Sequence, residues 1–429
     1  MRALTILTLL ITCFSCVSIR NNYLGPTNCE QVSANRIFES DHGKKAKLAA
    51  ADSLLRVISA VKKQKRSLKA LDINYLYTNF GNQLNDDRDY QCTLQNKPIV
   101  KDHLSNDQYL ATLELLSSAA DYEYSYQRNK FVRRTLNRGD SGNNIPKHIL
   151  QKSRNFLYSY SIRKKLVDQF NVNKSQLSDS LLKRLPTTNC WKSLTHRLFK
   201  NNDRIHSFYY GSAYVASYLF GNAVGIFHHD SNPEKNASNL QPFLRPFDLV
   251  LMRSPNHLTN KFIPGYFGHV GIWLGNNFVE RYLIKPFEKH RKDGVGMVEV
   301  LRSGLQISTL KEFADGEVFL VMRPENLTRK QKRNILFNIR KQLTKSYDFN
   351  FDIESPEAIT CTELVYLTYD YIEWRIRYTM ERYTISPDDL VLTALKSNQF
   401  SFKAFVEEGN TKIDPDREFI RSLVGNPKP

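Results

Sequence analysis

Cysteine is scarce in this chain: six occur in 429 residues, and two of those, Cys13 and Cys16, lie at the extreme N-terminus. The remaining four, Cys29, Cys92, Cys190 and Cys361, make no disulfide framework and fall at no zinc-ligand spacing. Cys29 and Cys92 are able to pair in an oxidising compartment, which leaves other thiols to be explained. Internal repeats and low-complexity tracts are absent, so solenoid and array architectures are excluded. Negative charge is also in short supply. Against 61 Lys and Arg there are 43 Asp and Glu, a formal net charge of +18, and that imbalance favours contact with a polyanion: nucleic acid, anionic lipid or an acidic wall polymer. With 41% hydrophobic and 24% charged residues, the composition is that of a folded protein long enough for two domains with their own cores.

Long apolar runs are few. "MRALTILTLLITCFSCVSIR" has Arg2, then an uncharged run from Ala3 to Phe14, then small residues, which is the layout of a cleaved secretory signal over residues 1–16. The run is too short to span a bilayer comfortably. A lipoprotein signal ends in an apolar-x-small-Cys box. Cys13 has Leu10 three residues before it but Thr12 adjacent, whereas Cys16 has Ser15 adjacent but Cys13 in the apolar slot, and Cys16 is the better lipidation site. The expected location is therefore the bacterial cell envelope, as a periplasmic protein or a membrane-anchored lipoprotein. Export argues against nucleic acid as the polyanion and leaves an anionic membrane or cell-wall surface. A second run, Ser207 to Phe227, is uncharged over membrane-spanning length but rich in Tyr, Ser and Gly. Gly211, Gly221 and Gly225 lower its helix propensity and allow close packing, so it is expected as a buried or interfacial segment.

Hydrophobic periodicity predicts a mostly α-helical N-terminal domain over residues 30–240. Leu48, Ala51, Leu55, Ile58 and Val61 share one face of a helix whose other side is strongly basic. The capping-box pair Ser105 and Gln108 opens a second helix through Leu110, Leu113 and Leu116, expected to end at Gly139. A third begins near Pro146 and carries Ile149, Phe156, Ile162 and Leu166. The Pro, Asn and Ser punctuation of "HHDSNPEKNASNLQPFLRP" marks a linker. Beyond it short strands are predicted at Phe247–Arg253, His269–Gly275, Asn277–Leu283 and Glu317–Pro324, with helices over about 328–343 and from Cys361. Few strands with helices set apart from them predict an α+β fold for residues 243–400, followed by a tail over 401–429.

"EAITCTELVY" places Cys361 between two threonines at a helix start, with Thr360 as cap and Glu363 as first-turn acid. There the helix end favours the thiolate, and the backbone N–H groups face any oxyanion formed when that thiolate attacks a carbonyl. A buried cysteine is also an ordinary packing residue, so the motif needs a base. Of ten histidines, His269 is the best placed, because it follows the loop Gly265-Tyr266-Phe267-Gly268 and opens a strand whose apolar face is Val270, Ile272 and Leu274. His228, His229 and His290 lie in polar surroundings and read as solvated.

Together, "FDLVLMRS", "IPGYFGHVGIWLG", "FVE", "YDFNFD", "TCTELVY" and "ISPDD", in that order from Phe247 to Asp389, resemble the permuted NlpC-type papain-like cysteine hydrolases of the YiiX/YaeF group. The resemblance covers roughly the last two-fifths of the chain. It implies a permuted papain-like domain, a small antiparallel sheet with helices, placed after the helical domain. It also implies Cys361 as nucleophile, His269 as base, Glu280 as the acid that orients the imidazole, and Tyr347 as a neighbour of the thiol and an oxyanion donor. No metal or organic cofactor is implied. Glu280 fits poorly by arithmetic: after a two-residue turn at Asn276-Asn277 it faces Trp273, roughly 13 Å along the strand from His269. A bulge must bring it closer, or another group takes the role. The implied chemistry is acyl transfer: an amidase or peptidase acting on cell-wall peptide or a short peptide. The alternatives are an acyltransferase or lipase acting on a lipid or lipoprotein acyl group, and a non-catalytic envelope-binding scaffold.

Overall fold

The computed structural model describes residues 41–94, 105–157, 159, 161–162, 166, 232–253, 265–275, 295–355, 357–379 and 382–425. The expected signal, the Ser207 to Phe227 run and the predicted strand at 277–283 lie outside them. The chain divides into two compact units, residues 1–66 with 75–209 and residues 67–74 with 210–429. Among the described residues no helix is long and apolar enough to cross a membrane.

The first unit is helical. In the helix Asp41–Lys63, Ala51, Leu54, Leu55 and Ile58 are buried, while Leu48 and Val61 are half-buried at its margins. The helix Asn106–Ser125 starts in the capping box of Ser105 and Gln108. It does not reach Gly139. It stops at Ser125, and a separate helix, Lys130–Arg138, begins from the Asn129 cap and ends at Gly139, whose φ of 82° suits a residue without Cβ. Asn129 is the signal that splits the predicted element, since its side chain accepts the Val132 N–H in place of helix continuation. Phe80, Tyr122 and Tyr126 stack at the centre, with ring centroids 5.3 and 4.9 Å from Phe80. The buried Tyr122 hydroxyl is satisfied by Asp87.

The second unit is built on a sheet. In chain order its strands are β1 (Asp248–Arg253), β2 (His269–Trp273), β3 (Val295–Leu301), β4 (Gly304–Thr309), β5 (Val318–Pro324), β6 (Ser346–Tyr347), β7 (Ala358–Ile359), β8 (Arg377–Thr379), β9 (Arg382–Thr384), β10 (Phe400–Glu407) and β11 (Asn410–Ile413). Seven of them form one sheet in the order β11-β10-β5-β1-β2-β3-β4, antiparallel throughout. Residues 401–429, expected as a tail, contain β10, which pairs with β5 in the interior of the sheet, together with β11 and the helix Arg417–Gly425. Period-two side chains give the sheet two faces. On one, Val250, Met252, Trp273, Met297, Phe319, Val321, Ala404 and Val406 pack with Leu310 and Phe313. At the end of that face the buried Asp248 accepts two hydrogen bonds from Arg323, 2.8 and 2.7 Å long, so its charge is paired.

Four capping boxes organise the helices of this unit, at Thr309 with Glu312, Thr328 with Gln331, Thr360 with Glu363, and Ser386 with Asp389. The helix Cys361–Thr368 is buried at every residue and packs on β2 and β3. Ser67–Asn74 also belongs to this unit. The buried Leu68 donates its N–H to Glu354 at 2.8 Å and accepts from the Tyr366 hydroxyl at 2.6 Å, while Asn74 donates to the carbonyl of Leu367 at 2.9 Å. A segment far upstream thus satisfies polar groups on the helix that begins with Cys361.

Candidate active site

Cys361 occupies the first position of its helix and is 5% exposed. The Thr360 hydroxyl accepts the Glu363 N–H, and the Glu363 carboxyl accepts the Thr360 N–H at 2.9 Å, so two of the end groups are occupied by the cap. The N–H of Cys361 at the first helical position has no intrahelical acceptor. Cys361 is the free cysteine among the described residues, whereas Cys92 is in a disulfide whose partner lies outside them. Cys29 and Cys190 also lie outside.

His269 is brought to the thiol by the start of β2. Its backbone stands opposite Met252 on β1, and the preceding Gly268 N–H reaches the Met252 carbonyl at 3.0 Å. The side chain is 15% exposed, lies close enough to Cys361 for the two to interact electrostatically, and hydrogen-bonds through Nε2 to Glu299 at 2.8 Å. With Nε2 committed to the carboxylate, Nδ1 is the nitrogen left for sulfur. Burial by itself pulls the imidazole pKa down. The charge of Cys361 and its hydrogen bond, followed by the hydrogen bond and charge of Glu299, outweigh burial and hold His269 up at about 10. Phe313 lies against the imidazole, 5.6 Å between centroids. Gly271 makes room for this packing, since a Cβ there would stand 2.8 Å from the Phe313 ring and 2.6 Å from the sulfur of Met297.

Glu299 was not anticipated. It sits on β3 opposite Gly271, hence diagonal to His269 on the same face, within reach of a long side chain. Glu280, which the resemblance assigned to this role, lies outside the described residues. The missed signal was legible: in "VGMVEVL" one carboxylate interrupts an otherwise apolar strand, and a carboxylate buried there requires a partner.

Tyr347 reaches the same place through the parallel pairing of β6 with β7, which sets Tyr347 beside Ile359, two residues before Cys361. It is buried, and its phenol pKa is pushed well up by burial, then by the charges of Cys361 and Glu363. Asp348 accepts the N–H groups of Asn350 and Asp352 at 2.8 and 2.9 Å, yet burial raises its pKa to about 7. Glu363 is raised too, by burial and then by the charge of Asp348. Among the described residues no group of three or more His, Cys, Asp or Glu is placed to hold a metal ion.

A thiol at a helix start, an imidazole beside it, a buried carboxylate on one ring nitrogen and a phenol alongside form a constellation suited to nucleophilic attack on a carbonyl. Residues 244–413 match the family described as permuted papain-like amidase enzyme, YaeF/YiiX, C92 family. No curated protein and no solved structure matches the chain.

Proposed function

We propose, from the premise that residues 244–413 form a permuted papain-like amidase domain and hence a cysteine hydrolase, that the protein is an exported enzyme cleaving an amide bond in cell-wall peptide or a similar short peptide. The observation that carries this reading is the His269–Glu299 hydrogen bond beside the thiol of Cys361, with which the imidazole interacts. An imidazolium beside sulfur favours the thiolate, and the carboxylate favours the imidazolium. In the first half-reaction the Cys361 sulfur bonds to the carbonyl carbon. The oxyanion is met by the Cys361 N–H and the Tyr347 hydroxyl. The C–N bond then breaks as His269 gives its proton to the leaving amine. In the second half-reaction water gives a proton to His269 and adds to the thioester. The C–S bond breaks and the acid departs, leaving the thiolate with the imidazolium. Export is supported by the N-terminal signal pattern and by the disulfide at Cys92, a bond that persists in oxidising compartments. A net charge of +18 suits an anionic envelope surface.

The test is to incubate the purified, reduced protein with soluble wall peptides and, separately, with phosphatidylglycerol vesicles, measuring new primary amine and free fatty acid. Amine release that disappears in Cys361→Ala is the expected result. Fatty acid without amine would replace the substrate with a lipid, and absence of both would favour the scaffold.

A further inference from the structure

Cys361 and His269 come from segments about ninety residues apart in the chain, and a third segment touches both. The hydroxyl of Thr362, next to the nucleophile, donates to the Ile385 carbonyl at 2.8 Å. Three residues later Asp388, 2% exposed, turns its carboxylate onto the loop before the base. One oxygen accepts the Tyr266 N–H at 2.7 Å and the other the Phe267 N–H at 2.9 Å. Gly265 lies flush against this carboxylate, where a Cβ would stand 2.7 Å from its oxygen. The segment itself is firmly set, because Ser386 caps the helix Pro387–Lys396 and Asp389 returns the bond to the Ser386 N–H at 3.0 Å. The charged neighbours are accounted for as well. Arg377 ion-pairs with Asp389 at 2.8 Å and Arg375 with the same oxygen at 3.5 Å, so neither uses Asp388 as its ion-pair partner.

We infer that residues 385–388 act as a cross-brace that sets the distance between Cys361 and His269, with Asp388 as the positioning residue at one end and Thr362 at the other. The argument is geometric. A carboxylate presents two acceptors, and two adjacent backbone N–H groups occupy them, so the loop can neither slide nor rotate without losing one. A carboxamide offers a single acceptor and turns its NH2 toward the second N–H. The inference rests on the assignment of Cys361 and His269 as the working pair. It explains why "GYFGH" and "SPDD" are parts of one device although neither Asp388 nor Gly265 belongs to the reacting set.

The experiment measures alkylation of Cys361 by iodoacetamide as a function of pH in the full-length protein with its Cys92 disulfide intact, with thermal midpoints taken on the same samples. Variants are Asp388→Asn, Asp388→Ala, Thr362→Val and the Asn/Val double. A wild-type rate that stays high below pH 7 and collapses in His269→Ala establishes the pair; without that result the parent assignment fails, independently of the brace. Given the pair, the brace predicts a rate at pH 7 reduced roughly 10-fold or more in Asp388→Asn and further in Asp388→Ala. The double variant should lose less than the product of the single effects, because both ends serve one element. Should Asp388→Ala not fold, the Asn and Val variants decide. Folded variants that keep the wild-type pH profile, even with lowered thermal midpoints, overturn the inference and leave Asp388 a loop anchor only.

Discussion

Replacing Glu299 by Gln is the sharpest single perturbation of the site. The two side chains are nearly isosteric, and the Gln carbonyl still accepts from His269 Nε2, so ring orientation is retained and the loss is one of charge. A hydrogen bond to an ionised acceptor is worth about 1.5–3 kcal/mol against about 0.5–1.5 for a neutral one. The difference, about 1–1.5 kcal/mol, corresponds to about one pKa unit. His269, held up at about 10 in the native site, should therefore titrate near about 9 in Glu299→Gln. Iodoacetate reads this directly. As an anion it reacts faster with the thiolate beside an imidazolium than beside a neutral ring, so its rate falls on the alkaline side as His269 loses its proton. Uncharged iodoacetamide shows no such fall and serves as the control. A descending limb that stays at the wild-type position in Glu299→Gln, or that moves in Glu280→Gln instead, would refute the assignment of Glu299 as the partner of the base.

Two further outcomes follow from the same geometry. If the Tyr347 hydroxyl donates to the oxyanion, Tyr347→Phe lowers kcat on the cleaved peptide about 10²-fold with KM little changed, by analogy with loss of one oxyanion donor; unchanged kcat would make the ring a packing residue. Stability should depend on pH through His269. Its folded pKa is raised from 6.5 to about 10, so the folded state retains a proton that the unfolded state releases. The contribution is fully present below pH 6.5 and lost as pH rises through about 10. The thermal midpoint should fall across that window in the wild type and fall less in His269→Gln.

How much of this was legible depends on where the information lies along the chain. The strands β1, β2 and β5 are runs of apolar residues between Gly, Pro and Asn, and local sequence suffices for them. The cap at Thr360 with Glu363 is equally local, which is why the position of Cys361 at a helix start is readable from six letters. β10 carries a readable alternation, since Phe400, Phe402, Ala404 and Val406 are buried, but its place beside β5 is a pairing across more than seventy residues. The same holds for Glu299. Its isolation among valines marks it as buried, and only the register of β2 with β3 says that His269 is the group it meets. Asp388 was visible in "ISPDD" as a motif, but what its two oxygens hold is settled by tertiary contacts alone.

The docking of Ser67–Asn74 on the helix of Cys361 has a consequence for timing. Leu68 and its partner Glu354 are 286 positions apart, and Leu68 and Tyr366 are 298 apart. At about 5–20 residues per second, a ribosome needs roughly 15–60 s to make the intervening chain. Throughout that interval Leu68 has been synthesised and its receptor has not. The upstream segment therefore waits for its partners on and before the helix of Cys361, and a chain cut off ahead of Tyr366 leaves the Leu68 carbonyl without that hydroxyl donor.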